Sequence, residues 1–232
     1  MRSFLPTELT WLGHASWQVK TDTHTLLIDP FLDDNPSAPI KSQDVVADFI
    51  FCSHGHFDHV ADAAKIANRT GATIVSNYEI SEWFGKQGVK KTLGMNLGGS
   101  ASLPFGRVKM TIAFHSSQLP DGAYGGNPGG FLISLTDGPR IYFACDTALY
   151  SDMKLIGAKG IDLAVLPIGD LFTMGPKDSV EATKLLNPSR VVPSHFNTWP
   201  PIAQDPQVWA EMIRASTTAS PIVLKPGETF SF

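Results

Sequence analysis

The densest chemistry in this chain lies in the stretch Phe51-Cys52-Ser53-His54-Gly55-His56-Phe57-Asp58-His59-Val60. Imidazole and carboxylate are the ligands that a borderline cation such as zinc takes in a catalytic site. In an extended segment residues two apart point the same way, so His54, His56 and Asp58 are expected to aim at one spot. His59 falls on the turn and faces a different direction, which suits a second metal beside the first. A solvated histidine patch would need neither this spacing nor this placement. The two cysteines, Cys52 and Cys145, are too few for a disulfide framework and read as small apolar residues filling strand positions.

The flanking elements explain how such a loop would be held. Asp48-Phe49-Ile50-Phe51 reads as a buried strand, and residues 60–67 have helical spacing, so the ligand types sit where a strand ends and a helix begins. Upstream, Glu8 to Leu12 reads as a first strand closed by Gly13, followed by a hairpin of residues 16–20 and 25–28 around an exposed turn carrying His24. His14 directly follows the first strand on a loop. Asp29 closes an apolar strand before Pro30, and a carboxylate in such company needs partners. The free N–H of a ligand histidine is one that suits it.

Downstream, residues 72–75 read as a strand and 79–87 as a helix, and the glycine-rich stretch to Gly106 as short strands and turns. Residues 107–113 alternate as a strand that delivers His115 and Ser116 at its end. Gln118 to Gly130, broken by glycine and proline, reads as a mobile rim. Residues 131–135 and 140–144 form a hairpin ending at Asp146, and Asp162 to Pro167 is a buried strand. A helix with Pro176 in its first turn stops at Asn187-Pro188. Arg190 to Pro193 leads to His195, the last ligand candidate. Asp205-Pro206 opens a final helix to about Ala215, and two short strands finish the chain.

Composition bounds the rest. The 232 residues read as one domain, 1–232, and 43% hydrophobic with 17% charged content describes an ordinary globular protein. A net charge of -4 offers no general attraction to nucleic acid or an anionic membrane. The nearest approach to a basic cluster, Lys86, Lys90 and Lys91, is interrupted by neutral residues. No apolar run is long enough to span a bilayer, and residues 1–6 do not read as a signal peptide, so a cytoplasmic location is expected.

His54-x-His56-x-Asp58-His59 resembles the signature of the metallo-β-lactamase superfamily. Trp11-Leu12-Gly13-His14-Ala15, Leu27-Ile28-Asp29-Pro30-Phe31, Leu166-Pro167-Ile168-Gly169, Phe172-Thr173-Met174-Gly175-Pro176 and Ser194-His195-Phe196-Asn197-Thr198 are similar to its branch of small single-domain metal-dependent hydrolases, which includes relatives of ascorbate-6-phosphate lactonase. The resemblance implies an α/β (α+β) fold, an αββα four-layer sandwich. It implies two divalent metal ions, zinc first with manganese or iron as alternatives. His54, His56 and His115 would hold one, Asp58, His59 and His195 the other, and Asp146 both. It places Asp58 and His14 with the catalytic step and Asp29 behind a ligand histidine. Ser116, Asn197 and Thr198 are candidates for holding substrate. The expected activity is hydrolysis of an ester, lactone or phosphoester bond in a small, conceivably anionic, molecule by metal-bound hydroxide. The expected partners include no nucleic acid and no membrane, and a homo-oligomer is left open. A non-haem di-iron redox protein and a non-catalytic scaffold are the competing readings. The first resembles a pattern with glutamate where this chain has His56, and the second conflicts with every ligand position being filled.

Overall fold

The computed structural model describes residues 6–136, 138–158 and 160–232. The chain divides into two compact units, one comprising the chain up to Asn96 with Ser116–Asn127 and Leu224–Phe232, the other Leu97–His115 with Pro128–Val223.

The first unit is built on a seven-stranded mixed sheet. Strands β1 (Glu8–Trp11), β2 (Trp17–Lys20) and β3 (Thr25–Ile28) run antiparallel in sequence. Strands β4 (Phe49–Phe51), β5 (Thr73–Asn77) and β6 (Thr92–Met95) then add in parallel. The near-continuous apolar text of β3 and β4 has the expected cause: parallel strands are covered on both faces, and Phe49, Ile50 and Phe51 are all buried. Three helices follow the sequence: α1 (Phe57–Val60), α2 (Ala63–Thr70) and α3 (Tyr78–Lys86). The core packs Ile66 and Ala67 of α2 and Ile80 and Phe84 of α3 with Leu27, Ile50 and Ile74 of the sheet. Asn77 caps α3 by accepting the Ile80 N–H at 2.9 Å.

In the second unit, strands β7 (Ser100–Leu103), β8 (Gly106–Ile112), β9 (Gly129–Leu135) and β10 (Arg140–Phe143) are antiparallel neighbours. Strands β11 (Leu163–Pro167), β12 (Arg190–Ser194) and β13 (Ser220–Pro221) extend the sheet in parallel, and β14 (Thr229–Ser231) returns to pair with β1 in the first unit's sheet. Helices α4 (Met153–Gly157), α5 (Pro176–Leu186) and α6 (Pro206–Ser216) belong here. Pro176 opens α5 and Asn187 closes it in the left-handed conformation, while Asp205 caps α6 by accepting from Gln207 and Val208 N–H.

Three differences from the sequence reading matter. The helical turn begins at Phe57, ahead of the expected start at Val60, so Asp58 and His59 project from a helix, while His54 and His56 lie in the bend between it and β4 and not on an alternating strand. Short α4 has no strong periodic signal and is absent from that reading. Residues 116–127 also carry an anchor that the sequence does not announce, Leu119, which is 2% exposed in the first unit's core.

Candidate metal centre

In the first unit the sheet topology brings the candidate residues to one edge. β1, β3 and β4 run in the same sense, and His14, Asp29 and the His54–His59 stretch each follow the carboxyl end of one of them. His14 and Asp29 leave their strands with φ of 53° and 45°. Left-handed backbone at a non-glycine residue costs free energy, and it turns each side chain sharply off the strand direction. Both residues are fully buried, as are His54 and His59.

Asp29 organises the histidines. Its Oδ1 accepts the Ser53 N–H at 2.7 Å, and its Oδ2 accepts the Ser53 hydroxyl at 2.6 Å and lies 2.9 Å from His59 Nδ1. Because a carboxylate only accepts, His59 carries its proton on Nδ1 and presents the lone pair of Nε2. Ser53 has one hydroxyl proton and gives it to Asp29. It must therefore accept the Nδ1–H of His54, 2.9 Å away, which leaves the His54 Nε2 lone pair available. One buried carboxylate thus sets the tautomer of two imidazoles, His59 directly and His54 through Ser53.

The Nε2 atoms of the two rings then face other metal-ligating atoms. His54 Nε2 stands 2.9 Å from His56 Nδ1, and His59 Nε2 stands 3.6 Å from Asp58 Oδ2. Two donors about 2.0–2.1 Å from a tetrahedral zinc are separated by about 3.3 Å, so both distances suit adjacent corners of such a site. His14 Nε2 lies 2.9 Å from Asp58 Oδ2, and ligand atoms of His14, Asp58 and His59 fall within 4.8 Å of one another. Ser116 Oγ is 3.3 Å from His56 Nε2, placing this proposed substrate contact behind a ligand ring.

The second unit presents a matching set around one carboxylate. His195 Nε2 is 3.0 Å and His115 Nε2 3.6 Å from Asp146 Oδ2. These residues follow β12, β8 and β10, and His195 again has positive φ, at 53°. Thr147 ties the neighbouring loops together. Its hydroxyl oxygen accepts the Phe114 N–H at 3.0 Å, and its carbonyl accepts the Met174 N–H at 3.0 Å. Gly169 is required where it stands, because a Cβ there would lie 2.3 Å from the His195 carbonyl. Asn197 Oδ1 accepts the Gln204 N–H at 2.7 Å and so braces its own loop, and Thr198 is buried. In the first unit the donor set, tautomers and spacings suit a divalent cation, and in the second His115, Asp146 and His195 bring three metal-ligating side chains together.

Reading the sequence alone passed over Ser53 and Ser117. Ser117 accepts the Gly55 N–H through Oγ at 3.0 Å and donates to the Gly125 carbonyl at 2.8 Å, fastening residues 116–127 to the ligand loop. A serine beside a histidine carries no signal that would separate these roles from ordinary loop polarity. Cys52 offers no alternative nucleophile, since burial pushes its thiol well above the ordinary value.

A family model described as the beta-lactamase superfamily domain matches residues 24–196. A UPF0173 metal-dependent hydrolase of Pelotomaculum thermopropionicum is 44% identical over 227 residues, covering 96% of this chain and 98% of the relative. One from Thermus thermophilus is 46% identical over 221 residues, covering 95% and 97%. Among solved structures, Igni18, a metallo hydrolase from the hyperthermophilic archaeon Ignicoccus hospitalis, superposes with a TM-score of 0.89 at 36% identity, covering 98% of this chain and 99% of that one. The two mixed sheets with their helices are the α/β architecture it shares.

Proposed function

This chain belongs to the β-lactamase superfamily and is a metal-dependent hydrolase of its UPF0173 group, and from that premise we propose that it cleaves an ester, lactone or phosphoester bond in a small molecule at a dinuclear site, zinc being the first candidate metal. In this reading His54, His56 and His115 would hold one cation and Asp58, His59 and His195 the other, with Asp146 the carboxylate common to both sets. Bound there, the pair would lower the pKa of a shared water toward about 7 and polarise the attacked carbonyl or phosphoryl oxygen.

The chain's own residues do the positioning. Asp29 keeps the protons of His59 and His54 on the nitrogens that face away from the ligand cluster. His14 donates from Nε2 to Asp58 Oδ2 and restrains that carboxylate, whose oxygens are the proposed acceptor of the proton released in the attack. Ser116, Asn197 and Thr198 are the proposed contacts to substrate. Burial of the Cys52 thiol leaves ionised water as the better nucleophile.

The observation that carries this proposal is the proton accounting around Asp29, which leaves two buried imidazole lone pairs facing further ligand atoms. The test strips the protein with chelator, reloads it with zinc, manganese or iron, and follows p-nitrophenyl esters and bis-p-nitrophenyl phosphate. Hydrolysis should return with metal and vanish in a His54→Ala, His56→Ala double variant. Hydrolysis that survives both chelation and this variant would overturn the proposal.

A further inference from the structure

The loops that carry the ligands show what kind of molecule they are made to meet. Recognition of a phosphate or sulfate group ordinarily uses Arg or Lys, as a bidentate fork or a point charge. Residues 12–19, 28–40, 52–62, 113–130, 144–152, 167–176 and 194–208 contain neither. In their place the loops expose large apolar side chains. In the first unit Phe57, between His56 and Asp58, is 55% exposed. In the second, Phe114, adjacent to His115, is 59% exposed. Leu171 and Phe172, in the loop that Gly169 packs against His195, are 66% and 56% exposed.

Solvent-facing aromatic surface is unfavourable unless something covers it, and beside a chemical centre it marks the wall of an apolar subsite. Thr147 fixes these walls relative to Asp146. Its hydroxyl holds Phe114, its carbonyl holds Met174, and a Thr173 N–H to Asp170 carbonyl bond of 2.8 Å closes the Leu171-Phe172 turn. A second observation argues against an anion. The α5 N-terminus is the natural anion receptor of this unit, yet the Asp170 carboxylate stands 3.0 Å from where a Cβ on Gly175, the N-cap, would be. A negative charge thus already stands beside that end of the helix.

We infer that the substrate is a neutral apolar ester or lactone with an aromatic or extended aliphatic acyl group, and not a phosphorylated or otherwise anionic metabolite. The inference rests on the hydrolase reading proposed above and narrows its substrate class. Water adds across the acyl C–O bond, which breaks to give a carboxylic acid and an alcohol. One proton of the water passes to the leaving oxygen, and no redox partner is needed. Phe114, Leu171 and Phe172 of the second unit cover the acyl group.

The test has two arms on metal-loaded protein. In the first, kcat/KM is measured for p-nitrophenyl acetate, butyrate, hexanoate and phenylacetate, and for p-nitrophenyl phosphate and 6-phosphogluconolactone. The neutral series should rise about two- to fourfold per methylene until the subsite fills, and exceed both anionic compounds. Phe172→Ala and Phe114→Ala should flatten the gradient. In the second arm, calorimetry measures binding of methyl ketones of the same chain lengths, which cannot be hydrolysed. Esters cleaved without a gradient, or anionic compounds cleaved faster, would overturn the inference and leave the hydrolase reading standing. A ketone gradient with no hydrolysis of any compound would overturn the hydrolase reading and support the apolar subsite. Neither gradient nor hydrolysis would overturn both.

Discussion

Asp29 can organise a ligand cluster because a buried carboxylate must find donors, and Ser53 and His59 supply them. Its position before Pro30 at the end of an apolar strand made the need for partners legible, and the spacing His54-x-His56 made two ligands legible. The link between them was not. Ser53 has meaning only through a side chain 24 positions away, brought near because β3 and β4 pair in parallel. Removing that hydroxyl should free the His54 ring. Ser53→Ala is expected to weaken metal binding about 10- to 100-fold in chelator competition. Nitrogen-15 NMR should show loss of the single Nδ1–H tautomer at His54. An unchanged affinity with the tautomer retained would remove Ser53 from the relay.

At the scale of elements, periodicity located most strands and helices, because buried parallel strands and amphipathic helices write their burial into the sequence. It misjudged the ligand loop, where a four-residue helix starts at Phe57 and is too short to show a period. It could not show how residues 116–127 are anchored, since glycine and proline report local freedom and not the bonds from Asn77 to the carbonyls of Gly125 and Asn127, or from Trp83 to Asp121. The segment after β3 is held in a comparable way. Asp33 accepts from Lys65 Nζ at 2.6 Å and from the Ser42 N–H and hydroxyl at 2.9 and 2.7 Å. The Lys65 ammonium first, and Ser42 next, hold its carboxyl well below the usual range. A lowered folded-state pKa contributes stability that is fully present above the unfolded value of about 3.9 and is lost as pH falls below it. Asp33→Asn should therefore cost no more than about 1 kcal/mol at pH 7, solvent screening this exposed pair, and progressively less below pH 4. Urea midpoints at pH 7 and pH 3 would measure it, and an equal loss at both would reject the charge-based account.

For the whole molecule, metal binding and stability should be one measurement, since an ion held by the native state and not by the unfolded chain stabilises it by mass action. At about 1,000 times Kd the gain is about 4 kcal/mol, which for a chain of this length is about 8–16 °C in Tm. Calorimetric titration of stripped protein should give two ions per chain, with Asp146→Ala weakening both. A single tight site, or a Tm shift below about 2 °C, would count against the dinuclear arrangement. Among the described residues no helix is long and apolar enough to cross a membrane.

The sequence by itself determined the family and placed the candidate ligand residues just past strand ends, because those are carried by short local spacings that survive without coordinates. The tertiary structure decided which nitrogen of His54 and of His59 meets the Asp29–Ser53 pair, that residues 116–127 are bonded to the first unit, and that the Asp170 carboxylate stands beside Gly175. Each of these depends on atoms far apart in the chain, whose distances follow from strand pairing and from left-handed turns at His14, Asp29 and His195 that no residue preference announces.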